Sequence, residues 1–258
     1  ISWLRDKSED TSCYKEKFLL IGGGYSNRKL VIYYIIWIIR LFLYFISKKD
    51  IKNMVVFVVN FDCALAVFMA SLFRKKIIYV YDIHDDFALS YKFPPFFVSL
   101  ISCLDRVIKL RAKKTIHVDE SRVRINDKNY EIIYNSPEDY YKGNYVNTKI
   151  EKSKQFVVSG LLSKDRGLES ICQFALANPQ YGFIVAGRPV DDIAAKMTKL
   201  SNVNYLGYVE QQELFRVIRN ADGIFSLYDP NKEINKLAAS NKLYDAMMLG
   251  IPVIVNKE

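Results

Sequence analysis

The sequence predicts an α/β fold built on parallel sheets. In the second half of its 258 residues, short apolar runs alternate with amphipathic segments of helical spacing. The first half repeats this alternation, and a polar stretch without periodicity separates the halves. Short apolar strands between helices indicate parallel sheets covered on both faces. We therefore predict two Rossmann-like domains, 1–142 and 155–258, joined by a linker at 143–154.

The first domain supplies five strands and three helices in alternation. The predicted strands are 17–22, 54–59, 77–81, 115–118 and 131–134. The predicted helices fill roughly 28–48, 62–73 and 95–112.

The second domain shows the same alternation more regularly. The predicted strands are 155–159, 183–186, 203–206, 223–227 and 252–255, and the predicted helices are 167–177, 211–220 and 240–250. Ser240 is expected to cap the last helix, which Gly250 and Pro252 then end. Ligands are expected outside the carboxyl ends of the strands.

Composition narrows the class of protein without fixing a partner. A net charge of +9 favours a polyanionic partner, whether nucleic acid, an acidic membrane surface or a phosphorylated substrate. Four scattered cysteines without a C-x-x-C pair indicate buried free thiols in a reducing compartment. With two histidines in the chain, no metal site is predicted. The chain begins with Ile and stops soon after its last strand, so we expect it to be part of a longer protein.

One segment is far more apolar than the rest. Residues 30–46 contain one charge, Arg40, in seventeen positions. The segment fits a buried helix of the first domain, or an apolar helix that docks on a bilayer surface. The basic amphipathic stretch 104–114 fits a solvated face, or a membrane-surface patch on the same domain.

The last predicted helix carries an unusual group of polar side chains in its first two turns. Asn241, Lys242 and Asp245 follow Ser240 directly. Free N–H groups and the helix dipole favour an anion at this end, and Lys242 adds a positive charge. Asp245 is placed to hold a ribose hydroxyl. A solvated helix face explains the same residues without a ligand.

The stretch 240–255 resembles the donor-binding helix of GT-B fold glycosyltransferases of family 4, which reads P-N-K-L-x-E-x-x-A-x-G-x-P-V-I. Here Ser240 stands for the family's Pro and Asp245 for its Glu. The resemblance implies two Rossmann-like domains that face each other across a cleft. It also implies a nucleotide-diphosphate-sugar substrate, retention at the anomeric carbon, and neither cofactor nor metal.

Two further loops of the second domain resemble family motifs. Residues 159–167 resemble the G-R-L…K-G loop that grips the donor diphosphate; Gly160 allows a close backbone approach, Arg166 takes the place of the Lys, and Leu161 replaces the Arg. Residues 203–209 resemble N-V-x-F-x-G-x-V, which implies that the backbone at Tyr208 and Val209 meets the base. Ordinary strand-to-helix turns explain both loops equally well.

In the first domain, residues 81–86 resemble the family's Y-D-x-H-E. The resemblance implies that His84 contacts the transferred sugar or a phosphate, while Asp82 or Asp85 orients the imidazole or receives an acceptor hydroxyl. A carboxylate cluster that caps a helix is the alternative. Trp3 to Asp6 resemble a W-x-R that follows the family's first strand, which implies that this strand is missing.

The resemblance implies a glycosyltransferase that moves a sugar, of hexosyl type, to the hydroxyl of a saccharide or lipid-linked saccharide in bacterial surface polysaccharide or glycolipid synthesis. The expected location is the cytoplasm, peripheral to the inner face of the cell membrane, with an anionic membrane surface as a further partner and no nucleic acid. A nucleotide-sugar epimerase of the same fold is one alternative. A silent nucleotide-sugar-binding or assembly subunit is another, because Leu161 and Leu237 replace polar residues of the family.

Overall fold

The computed structural model describes residues 1–5, 17–24, 30–48, 54–91, 93–123, 127–138 and 154–257. The chain divides into two compact units, Ile1–Tyr134 and Asn135–Glu258, so the division lies eight residues before the predicted domain end at 142. The predicted linker 143–154 lies outside the described residues, apart from Lys154.

The first unit contains two groups of parallel strands. Strands β1 (Ser2–Leu4) and β2 (Phe18–Ile21) pair with each other. Strands β3 (Val55–Val59), β4 (Ile78–Ile83), β5 (Lys114–His117) and β6 (Tyr130–Ile132) form a second sheet in the order β3-β4-β5-β6. Trp3 therefore lies within a short strand, whereas the sequence motif placed it after a strand.

Four α-helices in the described part of this unit pack against its strands and against one another. They are α1 (Leu30–Ser47), α2 (Asn60–Phe73), α3 (Phe87–Ser90) and α4 (Pro95–Arg111). Helix α2 turns small residues inward, and Ala64, Ala66 and Ala70 are completely buried. These alanines let α1 approach closely, so that Trp37 and Leu41 join the same core cluster.

The second unit is a five-stranded parallel sheet in the order β11-β10-β7-β8-β9. Its strands are β7 (Gln155–Leu162), β8 (Gly182–Pro189), β9 (Val203–Gly207), β10 (Gly223–Ser226) and β11 (Val253–Val255). Its helices are α5 (Leu168–Ala177), α6 (Asp192–Met197), α7 (Gln211–Arg219), α8 (Glu233–Lys236) and α9 (Asn241–Leu249). The sequence predicted all of these strands, while the short helices α6 and α8 were not predicted.

Two apolar clusters fill this unit, one with Val158, Leu168 and Phe183, the other with Val157, Ile218 and Ala246. Adjacent residues of β7 thus face opposite sides of the sheet, as the alternation of a strand requires. Because the strands are parallel, their carboxyl ends share one edge of the sheet. The loops that follow β7, β8, β9 and β10 begin there.

The cysteines depart from the predicted pattern of buried thiols. Cys172 is buried and Cys63 is half-buried, but Cys103 is exposed on α4. Cys13 lies outside the described residues. The prediction of burial is therefore wrong for Cys103.

Candidate functional site

At the carboxyl edge of the sheet in the second unit, the carbonyl of Gly160 on β7 occupies the space that a side chain at Gly187 on β8 would need. Gly160 and Gly187 pair across the two strands, with φ of +94° and +140°. A Cβ on Gly187 would overlap the carbonyl oxygen of Gly160. Only glycine fits the second position, and the sequence analysis missed it. The signal was present as an Ala-Gly-Arg-Pro run at the end of a predicted strand.

Gly160 leaves room for a lysine from α9. A Cβ added to Gly160 would lie 3.7 Å from Cε of Lys242, in ordinary van der Waals contact. The lysine stem therefore runs over the end of β7, where the backbone carries no side chain. Gly160 and Lys242, each named from the sequence as a donor-binding residue, lie close together in the structure.

Helix α9 begins without a side-chain cap. Ser240 has the extended backbone of an N-cap residue, with φ −76° and ψ 116°. Its hydroxyl instead lies 2.7 Å from the hydroxyl of Ser226 on β10, so it does not accept from the helix N–H groups. The predicted capping by the Ser240 side chain is therefore wrong. The first N–H groups of α9, at Asn241 and Lys242, have no side-chain cap among the described residues.

The other end of α9 agrees with the sequence. Gly250 adopts the left-handed conformation at φ 68°, and the Ile251 N–H donates to the Ala246 carbonyl. This is the glycine-dependent helix ending that Gly250 and Pro252 predicted.

Two cations and one carboxylate surround the start of α9. Burial and the Arg166 guanidinium lower the pKa of Lys242 to about 8, against the attraction of Asp245. Burial also raises the pKa of Asp245 to about 6, although the Lys242 ammonium acts in the opposite direction. Lys242 is thus close enough to Arg166 to be repelled by it. A bound anion would relieve that repulsion.

Arg166 is held in place by an aromatic ring. Its guanidinium carbon lies 4.6 Å from the centre of the Tyr228 ring. The Tyr228 N–H in turn donates to Oδ1 of Asn256 at 2.8 Å. The turn that carries Arg166 ends at Gly167, where a Cβ would overlap the Leu227 side chain. Tyr228 and Asn256 were not singled out in the sequence.

We call Gly160, Arg166, Lys242 and the uncapped start of α9 the anion cradle. It combines free backbone N–H groups, the positive end of a helix dipole and two cationic side chains, which is the chemistry that binds phosphate. Asp245 lies one turn further along α9. Tyr208 and Val209 follow β9 at the same sheet edge, two strands from β7. Tyr208 is 81% exposed.

In the first unit, the predicted histidine follows β4. Nε2 of His84 lies 3.0 Å from Oδ2 of Asp82, so Asp82 is the carboxylate that orients this imidazole. Asp85 instead pairs with Arg122 at 3.6 Å. The capping role expected of a carboxylate cluster falls to Asp86, which accepts from the N–H groups of the first turn of α3. The three carboxylates therefore have separate roles: Asp82 contacts His84, Asp85 pairs with Arg122, and Asp86 caps α3.

A cavity of about 420 Å³ lies in the same unit, beyond the carboxyl ends of β1 and β3. Its aromatic walls include Trp3, Tyr34 and Tyr91. The Arg5 guanidinium donates to the Tyr34 hydroxyl at 2.6 Å, and that hydroxyl lies 2.7 Å from the Tyr91 hydroxyl.

The cavity also contains a buried carboxylate that the sequence analysis missed. Burial raises the pKa of Asp62, although backbone N–H groups and Arg5 act against the rise. Asn60, two residues earlier, accepts from the His84 N–H through Oδ1 at 3.3 Å, which ties the cavity to the His84 loop. The available signal was the pair of polar residues Asn60 and Asp62, within three positions after the predicted strand 54–59.

A metal centre of several side chains does not form in the described part of the chain. No group of three or more His, Cys, Asp or Glu side chains there is placed to hold a metal ion.

Solved structures show which fold these two units belong to. The chain is similar to the lipopolysaccharide outer core galactosyltransferase WaaB, with TM-score 0.55 and 14% identity over 97% of this chain and 68% of WaaB. It is also similar to TarM of S. aureus, with TM-score 0.57 and 14% identity over 84% of this chain and 44% of TarM. The fold is that of the GT-B glycosyltransferases.

A third GT-B neighbour is an α,α-trehalose-phosphate synthase (UDP-forming) of Burkholderia vietnamiensis, with TM-score 0.56 and 9% identity. It is matched over 90% of this chain but 65% of its own length, so the chain spans less than two thirds of that structure. No family model matches the chain, and no curated protein does. The predicted GT-B fold is thus confirmed by structure, while membership of family 4 stays a prediction.

Proposed function

We propose that this protein is a glycosyltransferase that moves a sugar from a nucleotide-diphosphate donor to a hydroxyl of a saccharide acceptor. The observation that carries the proposal is the pair of cations, Lys242 and Arg166, at the uncapped start of α9. A diphosphate offers the charge and the acceptor oxygens that this arrangement lacks. Asp245 then lies beside the nucleotide, within reach of a ribose hydroxyl.

The cradle suits the charge that develops during transfer. The bond between the anomeric carbon and the diphosphate oxygen breaks, and the acceptor oxygen forms a bond to the same carbon. The acceptor proton passes to the departing diphosphate. Lys242 and Arg166 stabilise the negative charge that grows on that leaving group. We propose retention at the anomeric carbon and no metal requirement, in line with the resemblance to family 4.

His84 is the proposed contact to the transferred sugar or its phosphate. Asp82 fixes the imidazole through the 3.0 Å hydrogen bond, which makes Asp82 a positioning residue. Asp85 is engaged with Arg122, so its proposed role at the acceptor hydroxyl requires that ion pair to open. Tyr208 and Val209 remain the proposed contacts to the base.

The nucleotide is proposed from the neighbours of the same fold. A TarM variant was solved in complex with UDP, and a UDP-GlcNAc 2-epimerase of Neisseria meningitidis was solved with UDP-GlcNAc. These titles describe those proteins. For this chain they make uridine diphosphate the first nucleotide to test.

The acceptor is proposed to bind in the cavity of the first unit. Aromatic walls with a few fixed polar groups, here Arg5 and Asp62, are typical of small-ligand sites, and they suit the apolar faces and hydroxyls of a sugar ring. We propose a saccharide or lipid-linked saccharide of bacterial surface polysaccharide or glycolipid synthesis. The proposed location is the cytoplasm, peripheral to the inner membrane face.

Two other functions are alternatives to the proposed sugar transfer. The fold similarity to the epimerase keeps nucleotide-sugar epimerisation open. The leucines at 161 and 237 keep a silent binding subunit open, because both replace polar residues expected at the donor.

One assay distinguishes a transferase, an epimerase and a silent binding subunit. The protein is incubated with radiolabelled UDP-sugars, with and without a bacterial membrane-lipid extract as the acceptor source. A transferase releases UDP and labels the extract, and the label is lost in the Lys242→Ala variant. An epimerase changes the sugar without an acceptor. A silent subunit does neither while still binding UDP, and this last result would overturn the proposed activity.

A further inference from the structure

The outer face of α1 is apolar and open to solvent. Ile35 lies four residues after Val31 and three after Ile32, and Ile39 and Leu43 follow at intervals of four, so all five lie on one side of the helix. Each has 50–63% of its surface exposed. The opposite side is buried in the core through Trp37, Leu41 and Phe45. Helix α1 is thus apolar on both sides, although the unit needs only one of them for its core.

The apolar surface continues onto the end of α2. Phe73 is 75% exposed, and its ring centre lies 6.0 Å from that of Phe42 on α1. Its neighbour Leu72 is 57% exposed. A contiguous apolar surface of this kind is uncommon on a protein without a partner there. We call α1's exposed residues together with Leu72 and Phe73 the apolar face.

A group of cationic residues lies at the C-terminal end of α1. Arg74 donates to the carbonyl oxygens of Phe45 at 3.2 Å and Ile46 at 3.1 Å, which fixes it at this helix end. The exposed Lys75 and Lys76 follow it directly.

Two more lysines reach the same end of α1. The ammonium groups of Lys17 and Lys48 lie 5.2 Å and 5.4 Å from the centre of the Tyr44 ring. By helical spacing Tyr44 lies on the side of α1 away from Ile35 and Ile39, so we call only Arg74, Lys75 and Lys76 the basic cluster. Helix α1 itself carries no acidic residue to neutralise it.

The basic segment 104–114 is a weaker candidate for the same role than the sequence indicated. Lys109 forms an ion pair with Asp105 at 3.0 Å within α4. Part of the positive charge of α4 is therefore neutralised locally, whereas Lys75 and Lys76 are exposed beside the apolar face.

Helix α1 is tied into its unit, so it is suited to lie on a membrane rather than cross it. By length and composition it is the one described helix that could span a bilayer. Its Arg40 side chain, however, donates to the Leu19 carbonyl at 2.8 Å, and Trp37 is 3% exposed. Crossing a bilayer would remove the inner side of α1 from this core. Lying in the interface buries the outer side and leaves the core intact.

We propose that the apolar face docks onto an anionic bilayer surface, with α1 in the plane of the membrane and the basic cluster at the headgroups. Anionic lipid complements the cluster, while a second copy of the same face would bring a second cationic cluster and no acidic residue on α1. This inference deepens the proposed function by naming the surface through which a membrane-bound acceptor is reached. It does not depend on the donor chemistry.

The test is co-sedimentation with vesicles of phosphatidylcholine alone and with about one third phosphatidylglycerol. Ile35→Glu/Ile39→Glu places charges on the apolar face, and Leu176→Glu, at a position 51% exposed on α5, is the matched control. Lys75→Glu/Lys76→Glu tests the basic cluster. Circular dichroism confirms that each variant is folded, and UDP titration of the same samples follows donor binding separately.

We expect wild type and Leu176→Glu to bind the anionic vesicles and to bind neutral vesicles at least about tenfold more weakly. Both double variants should lose at least about tenfold in binding to the anionic vesicles. Equal binding by wild type and Ile35→Glu/Ile39→Glu overturns the proposal. So does a wild-type dimer that this variant splits in sedimentation velocity without any vesicle binding. A sample that binds UDP but no vesicles overturns the docking surface and leaves the proposed function standing.

Discussion

The hydroxyl of Ser240 lies 2.7 Å from the hydroxyl of Ser226, which diverts the N-cap residue of α9 from its own helix. A capped helix would present fewer free N–H groups. Because Ser226 holds this side chain on β10, the start of α9 stays open to an anion. The pairing thus turns a conventional N-cap position into part of the anion cradle.

A carboxylate at position 240 should close this site. In Ser240→Asp the new side chain caps the helix and repels a diphosphate, so we expect UDP affinity to fall by more than about tenfold. Ser240→Ala removes a hydroxyl that does not cap, and should change affinity by less than about threefold. Calorimetric titration compares the two. Equal losses in both variants would show that the hydroxyl itself is needed.

Gly187 should tolerate no side chain. Gly187→Ala combines a positive φ with overlap between its Cβ and the Gly160 carbonyl, and we expect the free energy of unfolding to fall by more than about 2 kcal/mol. Gly250→Ala is the matched control, since it has a positive φ but open space around the Cβ. It should cost about 1 kcal/mol. Urea unfolding measures both, and similar losses would contradict the overlap with the Gly160 carbonyl.

UDP binding should weaken at alkaline pH. Because the pKa of Lys242 is lowered to about 8, its ammonium loses the proton as pH rises through that value, and the attraction for the diphosphate is lost with it. We expect affinity to fall about tenfold between pH 7 and 9.5. Lys242→Arg keeps its charge over this range and should show a flatter profile. An unchanged slope in the arginine variant would assign the titration to another group.

Protonation of Asp245 should stabilise the folded protein, whereas protonation of an ion-paired carboxylate with a lowered pKa destabilises it. The pKa of Asp245 in the folded protein is raised to about 6 from a reference of 3.8, so the folded state binds the proton more tightly. The contribution of Asp245 to stability is then lost as pH rises from about 4 to 6. Asp245→Asn should remove that fall, seen as a flatter dependence of the unfolding free energy on pH. A steeper dependence in the variant would contradict the burial of this carboxylate.

Asp82 should affect transfer and not donor affinity at the cradle. Asp82→Asn weakens the hydrogen bond that orients His84, and we expect the transfer rate to fall about tenfold or more, with UDP affinity unchanged. Asp86→Asn, which alters the cap of α3, is the control for general loss of structure. An equal loss of rate in both variants would argue against a specific role for Asp82.

Much of the fold was predictable from the spacing of apolar residues along the sequence. The alternation of apolar strands with amphipathic helices gave every strand of the second unit, and Gly250 marked the end of α9 by a local rule. The short helices α6 and α8 were missed because four to six residues carry too little periodicity.

The site was only partly predictable. Lys242 and Gly160 were identified by motif, and their contact follows from the shared sheet edge. The pairing of Ser240 with Ser226, the overlap at Gly187 and the position of Tyr228 beside Arg166 depend on contacts between segments far apart in sequence. Asp62 was missed for the same reason, since its burial depends on β1, α1 and α2 together.

The central claim is that Lys242 and Arg166 bind a nucleotide diphosphate. The most direct measurement is calorimetric titration of UDP into wild type, Lys242→Ala, Arg166→Ala and the control Lys196→Ala, whose lysine is exposed on α6. We expect each cradle variant to lose at least about tenfold in affinity, as removal of a charged hydrogen-bond donor implies, while the control equals wild type. Unchanged affinity in both cradle variants would contradict the account.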